Sequence, residues 1–223
     1  MNILAVETST EYCSAALWLD GALSERCELA GQRHSQLLVP MVDELLQEAG
    51  LKLAQLDGIA FGMGPGSFTG VRIACGVAQG LALGANLPVV GVCTLQALAQ
   101  ASRHDRVIAA LDARMGEIYH AAYEKRDGLW SEICAPSLCR PEDAPLPEGD
   151  GWYGAGSAFA AYHDVLHTRY MDRLAGMDSQ AAPQAAAVAA LAAPQFAAGQ
   201  GLDAALTAPF YLRDKVALKS SER

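Results

Sequence analysis

The chain carries one succession of parts twice. An apolar strand ending in an acid, Ile3 to Glu7, leads through a turn to a second strand, Cys13 to Trp18, and a third, Leu23 to Leu29. Val107 to Asp112, Glu117 to Tyr123 and Leu129 to Leu138 repeat that order, and each trio is followed by Gly-x-Gly, at Gly62-Met63-Gly64 and at Gly154-Ala155-Gly156. Strand meanders mixed with helices, occurring twice, predict two related α/β lobes. The boundary falls near Arg103, giving residues 1–102 to the first lobe and 103–223 to the second, whose last residues are free to return to the first.

The second copy is the poorer one. Prolines at 136, 141, 145 and 147 mark Pro136 to Gly151 as an irregular surface loop. Ala181 to Ala193 reads as an alanine-rich helix, with Pro183 in its first turn and Pro194 closing it. So many alanines give high propensity but few large side chains, so its role is packing.

Composition narrows the functional classes. The 223 residues are 52% hydrophobic, enough for a substantial core. No run of 18 apolar residues spans a membrane and Met1-Asn2-Ile3 has no basic n-region, so the expected location is the cytoplasm. Six cysteines without a C-x-x-C pair imply free thiols, neither a disulfide framework nor a zinc site. A net charge of −9, from 16 basic and 25 acidic residues, repels a polyanion, so the chain does not hold RNA alone. The exception is the last dozen residues, where Arg213, Lys215, Lys219 and Arg223 face only Asp214 and Glu222. That tail is either a phosphate contact or a solvated end.

One loop stands apart. Gly58 to Phe61 reads as a buried strand and Val71 to Leu83 as a helix, and the glycines at 62, 64, 66 and 70 between them let the backbone come close to something else. Ser67 and Thr69 are candidate N-caps, and a helix opening there offers free N–H groups to an anion. The loop fits neither G-x-G-x-x-G nor the P-loop, which leaves an anion site and a structural strand-to-helix turn both open.

The helix from Gly70 to Gly84 has its own peculiarity. Gly76, Gly80 and Gly84 make one smooth ridge and Ala74, Ala78 and Ala82 another, beside a bulky stripe of Ile73, Val77 and Leu81. Each interior glycine costs roughly 1 kcal/mol relative to alanine. We expect the bulky stripe to face the sheet and a smooth ridge to meet another helix. Leu37 to Ala49, with Leu38, Met41, Val42, Leu45 and Ala49 at helical spacing, is the candidate within the chain. Simple packing of the two helices and a shared partner surface both fit.

Six segments, in order along the chain, resemble the bacterial TsaB (YeaZ) family: Ile3 to Thr10, Arg33 to Pro40, Gly64 to Arg72, Pro88 to Ala97, Asp112 to Met115 and Pro209 to Arg213. The resemblance implies two ribonuclease-H-like, actin-like lobes of the acetate-kinase, sugar-kinase, Hsp70 and actin group, the second lobe reduced. In that group ATP lies between the lobes on two hairpins, here Glu7-Thr8-Ser9-Thr10 and Asp112-Ala113-Arg114. Where ATP-binding relatives have Asp, this chain has Glu7, and the extra methylene disturbs a Mg²⁺ octahedron. Glu7, Thr8, Ser9, Gly64, Gly66, Ser67, Asp112 and Arg114 therefore form a vestigial nucleotide or anion loop, with no cofactor held tightly. The catalytic sister, TsaD, carries H-x-x-x-H for a metal, whereas here His34 is followed by Leu38, so His34 reads as a helix-start hydrogen-bond donor.

No catalytic residue is implied. There is no G-x-S-x-G, no H-E-x-x-H and no activated cysteine, so a small ATPase and a glycopeptidase-like metallopeptidase remain alternatives only. The family resemblance makes the chain a non-catalytic subunit that binds TsaD through the two helices, using Leu38, Met41, Val42, Leu45, Ala74, Gly76, Ala78 and Gly80. It further implies a homodimer when TsaD is absent, the ATPase TsaE in a ternary complex, and tRNA reached only through the complex.

Overall fold

A computed structural model describes residues 1–213. Strands β1 (Asn2–Glu7), β2 (Tyr12–Leu19) and β3 (Ala22–Leu29) form an antiparallel meander, then come helix α1 (His34–Glu48), strand β4 (Gly58–Gly64), helix α2 (Phe68–Ala85) and strand β5 (Val89–Cys93). Helix α3 (Thr94–Ser102) leads to a second meander of β6 (Arg106–Asp112), β7 (Ile118–Arg126) and β8 (Leu129–Cys139). Strand β9 (Trp152–Ala155), helices α4 (Ala158–Ala161) and α5 (His163–Tyr170), strand β10 (Leu174–Asp178) and helix α6 (Ala185–Ala197) complete the order.

The repeat seen in the sequence is a repeat of topology. One sheet runs β3-β2-β1-β4-β5, the other β8-β7-β6-β9-β10, and in each the first three strands are antiparallel while the last two lie parallel to the central one. This is the two-lobed, ribonuclease-H-like α/β fold, and its second lobe is indeed reduced. Where α1 joins the third and fourth strands of the first sheet, the second has only a single turn at Pro141–Asp143. Pro136, however, lies inside β8 and not in a loop, because β8 is an edge strand and an edge can lack one ladder N–H.

Strand periodicity divides the first core. On β1, Leu4 and Val6 join the layer of α1 and α2, while Ile3 and Ala5 join a second layer built by α6. The alanines of α6 let it lie flat there, with Ala185, Ala189 and Ala192 fully buried against β1, β2 and β4. Its start is set by tertiary contacts, four residues later than the composition predicts. Ser14 Oγ accepts from the Ala185 N–H at 2.9 Å and Glu25 Oε1 from that of Ala186 at 2.8 Å, satisfying two free donors of the first turn. Pro194 does not close this helix, which continues to Ala197. Helix α3 covers one face of the second sheet with Leu95 and Leu98, and α5 covers the other with Leu166 and Tyr170.

Helix α2 corrects the face assignment. Ala74, Ala78 and Ala82 are fully buried toward the sheet, whereas Ile73, Val77 and Leu81 pack partly buried at the edge of the same core. The cause is how closely the helix starts against β1: a Cβ on Gly70 would lie 1.9 Å from the Thr8 carbonyl oxygen, so only small side chains fit on the inner face. The same burial removes Leu38, Met41, Val42, Leu45, Ala74 and Ala78 from any partner surface, since each is at most 7% exposed. Gly76 and Gly80 are exposed, and a Cβ on either meets nothing within 4 Å.

By length and a mean hydropathy of 1.3, α2 alone among the described helices could cross a bilayer. It is instead the crossover between β4 and β5, two strands paired in parallel.

Candidate functional site

A cleft of about 840 Å³ runs between the lobes. Its first wall is the β1–β2 turn and the loop entering α2, through Ser9, Thr10, Gly66 and Ser67; its second is the β6–β7 turn, through Asp112, Ala113, Arg114 and Met115. The segment from Phe210 to Arg213 closes one side. The two hairpins expected to face each other therefore do so.

The four glycines of the loop have intramolecular neighbours. A Cβ at Gly62 would sit 1.7 Å from Glu7 Oε2, at Gly64 2.6 Å from the Phe210 carbonyl oxygen, at Gly66 2.6 Å from both Cβ and the carbonyl oxygen of Ser9, and at Gly70 against Thr8. Of the two readings open at the sequence level, the structural turn accounts for every one of these glycines. Ser67 caps α2, its Oγ accepting from the Gly70 N–H at 3.4 Å, and its own N–H donates to the Ser9 carbonyl at 2.7 Å. Thr8 is fully buried and donates its hydroxyl to the Gly70 carbonyl at 2.7 Å, stapling β1 to α2. The Gly64 N–H donates to Thr94 Oγ1 at 3.1 Å.

Glu7 does not line the cleft. Its side chain folds behind the loop into the space left by Gly62, 1% exposed, with Oε1 accepting the Ser9 N–H at 2.5 Å and Oε2 without a partner. Burial pushes this carboxyl above the usual range, against hydrogen bonds from Ser9 and Thr8 that pull it down. The extra methylene of Glu7 is thus beside the point, since its carboxylate lies outside the cleft. Ser9 is 2% exposed and its hydroxyl, at the cleft floor, also lacks a partner.

Across the cleft, Asp112 is occupied by its own turn. Oδ1 accepts the Arg114 N–H at 2.8 Å and the Tyr162 hydroxyl at 3.2 Å, while Oδ2 pairs with the Arg114 guanidinium at 3.0 Å. That guanidinium is 87% exposed, so the pair is worth at most a few tenths of a kcal/mol to about 1. His34 opens α1 and donates from Nε2 to the Thr10 carbonyl at 2.8 Å, as the sequence predicts, and Leu38 one turn on is buried in the core. Among the described residues no three His, Cys, Asp or Glu side chains converge on a point that could hold a metal.

Sequence reasoning missed the third wall. Phe210, Tyr211 and Arg213 enter the sequence reading only as part of a matched segment, and Arg213 also as part of the basic tail, yet Arg213 is 15% exposed and paired with Glu117. The available signal was the apolar Phe210-Tyr211-Leu212 within a polar end. Lys215, Lys219 and Arg223 lie outside the described residues.

Comparison with known proteins agrees with this fold. A family model described as TsaD, tRNA N6-adenosine threonylcarbamoyltransferase, matches residues 27–220. The tRNA threonylcarbamoyladenosine biosynthesis protein TsaB of Escherichia coli K12 is 40% identical, with 98% of this chain and 97% of that protein covered. The protein of the same name from Haemophilus influenzae is 38% identical over 98% and 96%. YeaZ from Pseudomonas aeruginosa superposes with a TM-score of 0.85 at 40% identity, covering 95% of this chain and 99% of that one. A second Pseudomonas aeruginosa structure, described as an uncharacterized protein with similarity to peptidase YEAZ, gives 0.88 at the same identity and coverage.

Proposed function

The chain belongs to the TsaB family, and from that premise we propose that it is the non-catalytic subunit of the bacterial complex that forms threonylcarbamoyladenosine in tRNA. In this reading TsaD transfers threonylcarbamoyl from its adenylate to the adenosine beside the anticodon of tRNAs reading codons that start with A. The present chain binds TsaD, supports it, and works in the cytoplasm; TsaE joins in a ternary complex, tRNA is met only through the complex, and a homodimer forms when TsaD is absent.

The observation that carries the proposal is the near-full-length match to TsaB proteins, joined to the lack, among the described residues, of three converging His, Cys, Asp or Glu side chains. Position 38, where the metal pair of TsaD would have its second imidazole, is a buried leucine. A metallopeptidase reading has no converging ligands to work with among the described residues. A tightly bound Mg-ATP suits these walls poorly too, with Glu7 turned away and Asp112 already satisfied. The docking surface is narrower than the sequence suggests. It is the outer ridge of α2, where Gly76, Gly80 and Gly84 are exposed with open space above them and no Asp, Glu, Lys, Arg or His occurs from Ile73 to Asn86. Three glycines in a helix, at roughly 1 kcal/mol each, find no neighbour among the described residues that requires them. A partner's helix packed closely on them supplies one.

The test uses Gly80→Leu. The variant should fold, since its Cβ meets nothing within 4 Å, yet lose co-purification with TsaD from the same organism and lose threonylcarbamoyl transfer in the reconstituted assay. Normal association with TsaD would place the contact elsewhere, and normal transfer without this chain would remove the subunit role altogether.

A further inference from the structure

The segment Phe210 to Arg213, at the end of the described residues, touches both lobes in succession. The Phe210 N–H donates to the Met63 carbonyl at 2.7 Å, and the Phe210 carbonyl lies in the space that the missing side chain of Gly64 leaves. Next, the Tyr211 hydroxyl accepts from Arg72 Nε at 2.8 Å, and that guanidinium stacks 3.4 Å above the Phe68 ring, fixing the segment to the first turn of α2. Then the chain crosses the cleft. Arg213 donates from Nη1 to the Ala113 carbonyl at 2.9 Å and from Nη2 to the Arg114 carbonyl at 3.4 Å, and pairs with Glu117.

The turn it grips is one that needs holding. Arg114, Met115 and Gly116 have φ of 61°, 59° and 77°, three successive residues in the left-handed region, two of them with side chains. Each non-glycine residue there is disfavoured by roughly 1–2 kcal/mol, so the turn persists only where outside contacts fix it. A planar fork with several donors suits two carbonyls and a carboxylate at once, which lysine's single ammonium cannot match.

We propose that Phe210–Arg213 is an interlobe clasp, and that Arg213 is the positioning residue that sets the separation of the two cleft hairpins. Releasing it frees the β6–β7 turn and, through the same segment, loosens the loop that enters α2. The mechanism is independent of what the cleft or the α2 ridge binds.

Hydrogen–deuterium exchange on the full-length protein and its Arg213→Ala variant tests this. The expected result is at least tenfold faster exchange both in the peptide covering residues 112–118 and in that covering 62–70, with β8 and β10 unchanged. Arg213→Lys, which keeps the charge but not the fork, should show the same two sites at a smaller acceleration, and Tyr211→Phe should affect only 62–70. Unchanged exchange at 112–118 would overturn the clasp. So would acceleration confined to 112–118, which would make Arg213 a local pin, or acceleration everywhere, which would make it a general stability residue.

Discussion

At the residue scale, His120 is the side chain that neither the fold nor the site explains. It lies on β7, fully buried, with no hydrogen-bond partner on either ring nitrogen, its ring parallel to that of Tyr170 at 6.3 Å. Burial lowers its pKa from the ordinary imidazole range to about 4. The folded protein therefore holds a neutral ring that the unfolded chain protonates below about pH 6.5. A lowered histidine pKa means that stability is full above that value and falls as pH drops toward 4. Two and a half units correspond to about 3 kcal/mol. His120→Phe keeps the ring and removes the proton site, so urea denaturation between pH 7 and pH 4.5 should show a clearly shallower loss than the parent. An identical loss in both proteins would assign the acid sensitivity to another group. The sequence could count this histidine but could not single it out, because burial without a partner is a property of the surrounding sheet and of α5.

At the element scale, two glycine sets bracketing one helix have opposite reasons for being glycine. Those at 62, 64, 66 and 70 make room for Glu7, Phe210, Ser9 and Thr8, while those at 76 and 80 make room for nothing among the described residues. Alanine should separate them cleanly. Gly62→Ala puts a methyl 1.7 Å from a buried carboxyl oxygen and should destabilise the protein by 2 kcal/mol or more, in the range of overpacked cores. Gly76→Ala meets open space and should stabilise it by about 1 kcal/mol from helix propensity alone. Thermal melts of the two variants read both signs. A destabilised Gly76→Ala would mean that the outer face of α2 is not free in the isolated chain. The helix itself, its Ser67 cap and its glycine ridge were legible in the sequence. Which stripe faces inward was not, because the larger residues suggest burial while the short distance to Thr8 favours small side chains on the inner face.

At the scale of the whole molecule, two sheets of one topology enclose a cleft whose polar groups are satisfied largely within their own walls. Its acids are Glu11 and Asp112, the second already bound to Arg114 and Tyr162, and its best-placed carboxylate by sequence, Glu7, lies behind the wall. Isothermal calorimetry with Mg-ATP on the isolated chain should accordingly show no binding in the low micromolar range, about −8 kcal/mol; a full equivalent bound at that affinity would restore the small-ATPase alternative. The doubled strand order and the weaker second half follow from the sequence itself, because period-two runs, prolines and glycines act locally and survive without knowledge of their neighbours, while the facing of two hairpins across one cleft and the helix-start role of His34 came from the family resemblance. Tertiary structure alone decided where α6 begins, since Ser14 and Glu25 from another part of the chain supply its caps, and that Glu7 is hidden, since Gly62 opens the space it fills. It also decided that Arg213 belongs to the cleft and not to a solvated tail, for the contacts that hold it come from residues about 100 positions away, a separation no local pattern encodes.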